Sequence, residues 1–177
     1  MKTKTLVLCA VFAALTAALA QAAVPIGAVP VNLAHVAIFL AAGLLGAKYG
    51  ALSQLVYLLL GAAGVPVFSG LRGGINVLAG PTGGFLIGYV LCAVTTGLLI
   101  GKRGASARRL IPAMAAGMLA TYLPGTGWFV WQQQTTVSAA LSACVLPFLP
   151  GDILKIILCA FLIPRLRTAL RLAEPVR

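Results

Sequence analysis

The chain has 177 residues, of which 61% are hydrophobic and 8% charged, and its mean hydropathy is +1.06. Soluble domains carry about 25% charged residues. The composition therefore excludes a water-soluble globular protein and calls for an integral membrane protein built from apolar spans of about 20 residues. The formal charge of +11 does not indicate nucleic-acid binding, because the basic residues stand between apolar runs and are not interleaved with polar or aromatic surface.

Lys2 and Lys4 precede the first apolar run, Thr5 to Val24. Two readings of residues 1 to 23 stand side by side. With Ala20-Gln21-Ala22 at its end, the segment has the form of a signal peptide. It also carries Ala10, Ala14 and Ala18, with Ala13 and Ala17, at four-residue spacing. That spacing makes a smooth stripe where another helix can approach closely. Pro25 to Asn32 reads as an outer loop, extended by its prolines. The second run, Leu33 to Ala47, and the third, Ala51 to Val67, flank Lys48. Gly43, Gly46, Gly50, Gly61 and Gly64 give these two runs small faces for tight packing. His35 reads as a packed or interface residue, Gln54 as a partner of a neighbouring helix, and Tyr57 equally as a packing or a ligand-contacting group.

Residues 64 to 84 hold seven glycines and two prolines. Glycine lets the backbone fold sharply and expose its N–H and C=O groups at close range. A merely flexible linker would be polar, whereas this one contains Phe68, Ile75, Val77 and Leu78, so a compact lid tucked into a helical bundle is expected. The fourth run, Gly84 to Gly101, is followed by Lys102, Arg103, Arg108 and Arg109. The fifth begins near Leu110 and ends near Trp128 and Trp131, which suit an outer interface. Gln132 to Leu149, broken by Pro147 and Pro150, reads as a partly helical outer segment. The last run passes through Asp152 to about Leu166, and Arg165, Arg167, Arg171 and Arg177 close the chain.

With the N-terminus in the cytoplasm and a crossing at each run, eleven of the thirteen basic residues fall inside, as the positive-inside rule requires. The expected architecture is all-α: one membrane domain over 1–177, a bundle of six transmembrane helices with both termini cytoplasmic. The two exceptions are Arg72, in the outer loop between the third and fourth spans, and Lys155, near the outer end of the last. Asp152 is the only carboxylate apart from Glu174 in the C-terminal tail. Asp152 and Lys155 are three residues apart, so on a helix they share a face. A lone acid and base inside an apolar protein cost free energy unless they pair or bind something polar. Either Asp152 caps the helix and pairs with Lys155, or the two together hold a ligand.

Catalytic chemistry lacks its parts. Cys9, Cys92, Cys144 and Cys159 have no metal-ligand spacing. Gly97 to Lys102 is one residue short of a phosphate loop and lacks its Ser or Thr. Neither a Ser-His-Asp set nor a carboxylate cluster exists. The expectation is a protein that is not an enzyme and has no catalytic or metal site.

Gly80-Pro81-Thr82-Gly83-Gly84-Phe85-Leu86-Ile87-Gly88-Tyr89, together with Pro147-Phe148-Leu149-Pro150-Gly151-Asp152-Ile153-Leu154-Lys155, resembles the BioY family, as does Tyr57 to Phe68. These are the biotin-binding S components of the energy-coupling-factor importers of prokaryotes. The resemblance covers nearly the whole chain. It implies six helices in the cell membrane, a biotin pocket on the outer side, and Asp152 and Lys155 among the biotin ligands. It implies no cofactor, ATP being used by partner subunits. It also implies that the stripe of Ala10, Ala14 and Ala18 docks on the transmembrane coupling subunit. The family often has Thr and Gln where this chain has Asn32 and Ala34, leaving Asn32 as the possible polar contact from that loop. Asp152 suits the ureido N–H groups and Lys155 the ureido carbonyl, both strengthened by charge. Trp128 suits stacking on the ring, and Arg72 suits the carboxylate. The candidate substrate contacts are Asp152, Lys155, Arg72, Asn76, Gly80, Thr82, Gly83, Gly84, Tyr89, Tyr57, Asn32 and Trp128. The alternatives are an S component for another vitamin and a structural membrane protein.

Overall fold

The computed structural model describes residues 3–26, 29–101 and 106–170. Helix α1 (Thr3–Gln21) leads into a two-stranded antiparallel hairpin, β1 (Ala23–Ile26) and β2 (Val29–Asn32), in which Pro25 opposes Pro30. There follow α2 (Ala34–Ala62), the short α3 (Ile75–Ala79), α4 (Gly83–Ile100), α5 (Ala107–Gln133), α6 (Val137–Cys144) and α7 (Leu149–Ala169). The segment Pro25 to Asn32, expected as an extended outer loop, is extended and pairs as this hairpin. Pre-proline residues already favour extended backbone, and both strands of a two-stranded sheet are edges, where proline's missing N–H is tolerated.

Helix α2 is broken at Gly46, whose φ of 80° and ψ of 178° lie outside the helical region. Only glycine adopts this conformation without strain. The chain folds back there: a Cβ on Gly50 would lie 3.0 Å from the Cα of Ala42, two positions that a straight helix would hold far apart. The second and third apolar runs are therefore two arms joined by a single residue. The first arm lies beside α4, with His35 against Tyr89 at one end and Gly97 against Ala47 at the other. Helix α5 runs back along α4, with Thr121 against Gly88 and Thr96 against Ala113. Helix α7 follows the first arm, with Cys159 bonded to the Val36 carbonyl and Arg167 to that of Gly43. Helix α1 pairs with the second arm through Thr16 and Gln54.

These pairings gather the hairpin, the glycine-rich segment, α6 and the start of α7 at one end of the bundle. Lys48, Gly101 and Arg167 lie at the other. The glycine-rich segment is a compact lid, as expected. Phe68 is buried against Gly61 and meets Tyr57 edge to face. The amide of Gly74 donates to the Gly61 carbonyl at 2.7 Å. Gln21, at the end of α1, clamps the lid: its Nε2 donates to the carbonyls of Val67 and Phe68, both at 3.1 Å, and its Oε1 accepts from the Leu71 amide at 2.9 Å.

Phe39, Ile38, Leu44, Leu110, Met114 and Ile163 fill the core. The outside is also apolar: Leu6, Val7, Leu59, Leu98, Leu119, Leu123, Ile153, Leu154 and Phe161 are exposed. Such a surface suits lipid and not water. By length and composition α1, α2 and α4 can each cross a membrane, and α6 with α7, bent by 53°, makes a fourth candidate. Two of the six expected spans are missing from this count: α2 counts once although it folds into two arms, and α5 is not among the candidates.

Candidate functional site

Pro150 stands at the start of α7, where its lost N–H has no helical partner to miss. Asp152 then falls in the first turn, where the helix dipole favours a negative charge. One carboxylate oxygen, Oδ1, pairs with Lys155 Nζ at 2.8 Å. The other, Oδ2, accepts a hydrogen bond from the Tyr122 hydroxyl, presented by α5. Asp152 and Lys155 are 5% and 6% exposed, so this is a buried ion pair. An ammonium has three donors, and among the described residues Lys155 has no partner besides Asp152.

The cluster forms one wall of a cavity of about 390 Å³. His35, Tyr89 and Asn32 face it from the first arm, α4 and β2, and Phe85, Cys144 and Phe148 supply apolar lining. A second cavity of about 380 Å³ shares Asn32, Phe85 and Tyr89 with the first and extends beneath the lid to Ser69, Arg72 and Thr82. Asn32 ties the two together. Its Nδ2 donates to Ser69 Oγ at 2.8 Å and to the Tyr89 hydroxyl at 3.4 Å, and its Oδ1 accepts from the Ala34 amide at 3.1 Å. Arg72 is exposed at the lid, its Nε donating to the Ser69 carbonyl at 3.3 Å.

Six of the twelve candidate contacts thus line these cavities: Asp152, Lys155, Asn32, Tyr89, Arg72 and Thr82. The other six do not. Asn76 is exposed on α3. Tyr57 is buried, stacks on Tyr89 and donates to the Val67 carbonyl, so it supports the wall from behind. Trp128 donates from Nε1 to the Gly80 carbonyl at 2.9 Å and packs on Gly84. Gly80 and Gly84 therefore anchor the lid to α5, and Gly83 sits against the Leu78 carbonyl, where no side chain fits. Sequence reasoning missed Tyr122, which lies 30 residues from its partner Asp152. His35, read from the sequence as a packed or interface residue, is packed against Tyr89 and Phe39 and also lines the first cavity. Ala10, Ala14 and Ala18 form an exposed face of α1, away from both cavities.

The chain matches the BioY family model over residues 1–172. It belongs to the BioY family. The biotin transporter BioY of Thermotoga maritima is 38% identical over 165 residues, covering 93% of this chain and 96% of that one. The probable biotin transporter BioY of Pyrococcus horikoshii is 40% identical over 167 residues, 94% and 98% of the two chains. The crystal structure of the S-component for biotin from an ECF-type ABC transporter superposes with a TM-score of 0.86 at 31% identity, covering 94% of this chain and 92% of that one. Membership of this family of transport components makes the chain a membrane protein and not an enzyme.

Proposed function

We propose that the chain is the substrate-binding membrane subunit of a biotin importer, which captures biotin on the outer side and delivers it inward with an ATP-driven coupling module. The observation that carries this reading is the buried pair of Asp152 and Lys155, joined by the partly buried Tyr122, on the wall of a largely apolar cavity. Biotin pairs a flat ureido group with an apolar ring and chain and ends in a carboxylate. Asp152 accepts from the ureido N–H groups, and the free donors of Lys155 meet its carbonyl. The aromatic and aliphatic lining takes the ring. Arg72, at the far end of the adjoining cavity, takes the carboxylate.

The chain crosses the membrane six times with both ends in the cytoplasm. The antiparallel and parallel pairings of the helices support this count, as does the gathering of Lys48 and Arg167 at the end opposite the cavities. The exposed alanines of α1 dock on the transmembrane coupling subunit, to which ATPase subunits are joined.

The test is Asp152→Asn, which keeps the shape of the side chain and removes its charge. Biotin affinity of the detergent-purified protein should fall about tenfold or more, as expected when a charge-assisted hydrogen bond is lost, while the thermal midpoint shows a folded protein. Unchanged affinity would overturn the assignment. Loss of the folded protein would instead give the pair a purely structural role.

A further inference from the structure

Three buried side-chain atoms in the described residues lack a hydrogen-bond partner: His35 Nε2, Gln54 Oε1 and Thr126 Oγ1. A buried polar atom left unpaired is costly, and most such atoms in folded proteins are satisfied. Of the three residues, only His35 lines either cavity. It stands in the first turn of α2 and shares the cavity with Asp152 and Lys155. Its ring is held in place, edge-on to Tyr89 at 4.9 Å and tilted to Phe39 at 6.1 Å. The residue is 9% exposed. A fixed, buried and unsatisfied imidazole nitrogen beside an acid and a base is the arrangement of a group satisfied by ligand. Asp152 and Lys155 already engage each other, and Asp152 also accepts from Tyr122, whereas nothing in the described chain engages this atom.

We propose that His35 is a further substrate-contacting residue, whose Nε2 hydrogen-bonds the ureido group of biotin and completes the polar end of the site. The assignment rests on the biotin-binding reading above. It makes His35 a reader of the cyclic urea, in company with Asp152 and Lys155, and leaves the carboxylate to the opposite end of the site.

The test uses the full-length protein in detergent and three replacements. His35→Gln carries an amide close to the position of Nε2, His35→Asn carries one close to Nδ1, and His35→Phe keeps a flat ring with no polar atom. Calorimetric titration with biotin should show His35→Phe and His35→Asn weakened by about ten- to hundredfold and His35→Gln by a few-fold at most. The losses should be the same for dethiobiotin, which lacks the ring sulfur, and for biotin amide, which lacks the carboxylate. Equal affinities across the variants, or equal losses in Gln and Asn, would overturn the proposal. So would a loss that vanishes with dethiobiotin or with the amide, since His35 would then read the sulfur or the carboxylate. Thermal midpoints report whether each variant folds; if Phe does not, the contrast between Gln and Asn decides alone. Failure of wild type to bind biotin would reject the parent reading, which a loss confined to the variants cannot do.

Discussion

Stability alone does not call for the buried pair of Asp152 and Lys155. Replacing a buried ion pair by well-packed apolar residues is often neutral or stabilising, whereas removing one partner costs about 3 to 5 kcal/mol. An isolated pair that only capped α7 would therefore be a poor use of two charges in a chain that has so few carboxylates. Both residues are legible in the sequence because charge is rare there and their spacing places them on one helical face. Tyr122 and His35 are not legible, because each acquires its meaning from an element distant in sequence. Arg72 was marked by being a basic residue on the wrong side of the charge pattern, and it lies at the lid's cavity. If it holds the biotin carboxylate, Arg72→Ala should weaken biotin binding about five- to hundredfold, from a charged contact of roughly 1 to 3 kcal/mol reduced by its exposure. An uncharged biotin amide should bind mutant and wild type almost equally. Equal losses for the two ligands would show that Arg72 supports the lid and does not read the carboxylate.

At the scale of elements, the apolar runs of the chain foretell its long helices, and the glycines and prolines of residues 64 to 84 foretell a folded lid. Two features escaped. The hairpin over Ala23 to Asn32 escaped because extended residues do not disclose whether they pair. The reversal between the second and third runs is foretold at Lys48, but its form escaped, because one glycine, Gly46, replaces the loop that usually joins two helices. Tyr57, Trp128, Gly80 and Gly84, candidates for ligand contact in the sequence, brace the walls in the structure. A tyrosine, a tryptophan and glycines serve either role equally well in sequence, and only packing separates them. Helix α1 carries two features. Its end holds the lid through Gln21, and its exposed stripe of Ala10, Ala14 and Ala18 faces away from the bundle. Ala14→Trp adds bulk on that outward face, so it should leave folding and biotin binding intact. If the stripe is the docking surface, the same change should abolish energised uptake and co-purification with the coupling subunit, because close helix approach requires small side chains. Undiminished complex formation would remove the docking assignment.

On the scale of the whole molecule, the broken α2, the glycine contacts between α4 and its neighbours and the Gln21 clamp bring residues from the hairpin, α2, the lid, α4, α5 and α7 to one end of the bundle. The composition calls for a membrane bundle, and the charge pattern sets the orientation expected of it. Neither could say that Asn32 would join two cavities, since that depends on where the hairpin ends relative to the lid. The central claim is that these two adjoining cavities are shaped for biotin and for no other vitamin. Calorimetric titration of the wild-type protein, purified in detergent, with biotin, thiamine and riboflavin tests it most directly. Saturable one-to-one binding of biotin is predicted, with no measurable binding of the other two at the same concentrations. Binding of thiamine or riboflavin as tight as that of biotin, or no binding of biotin by folded protein, would contradict it.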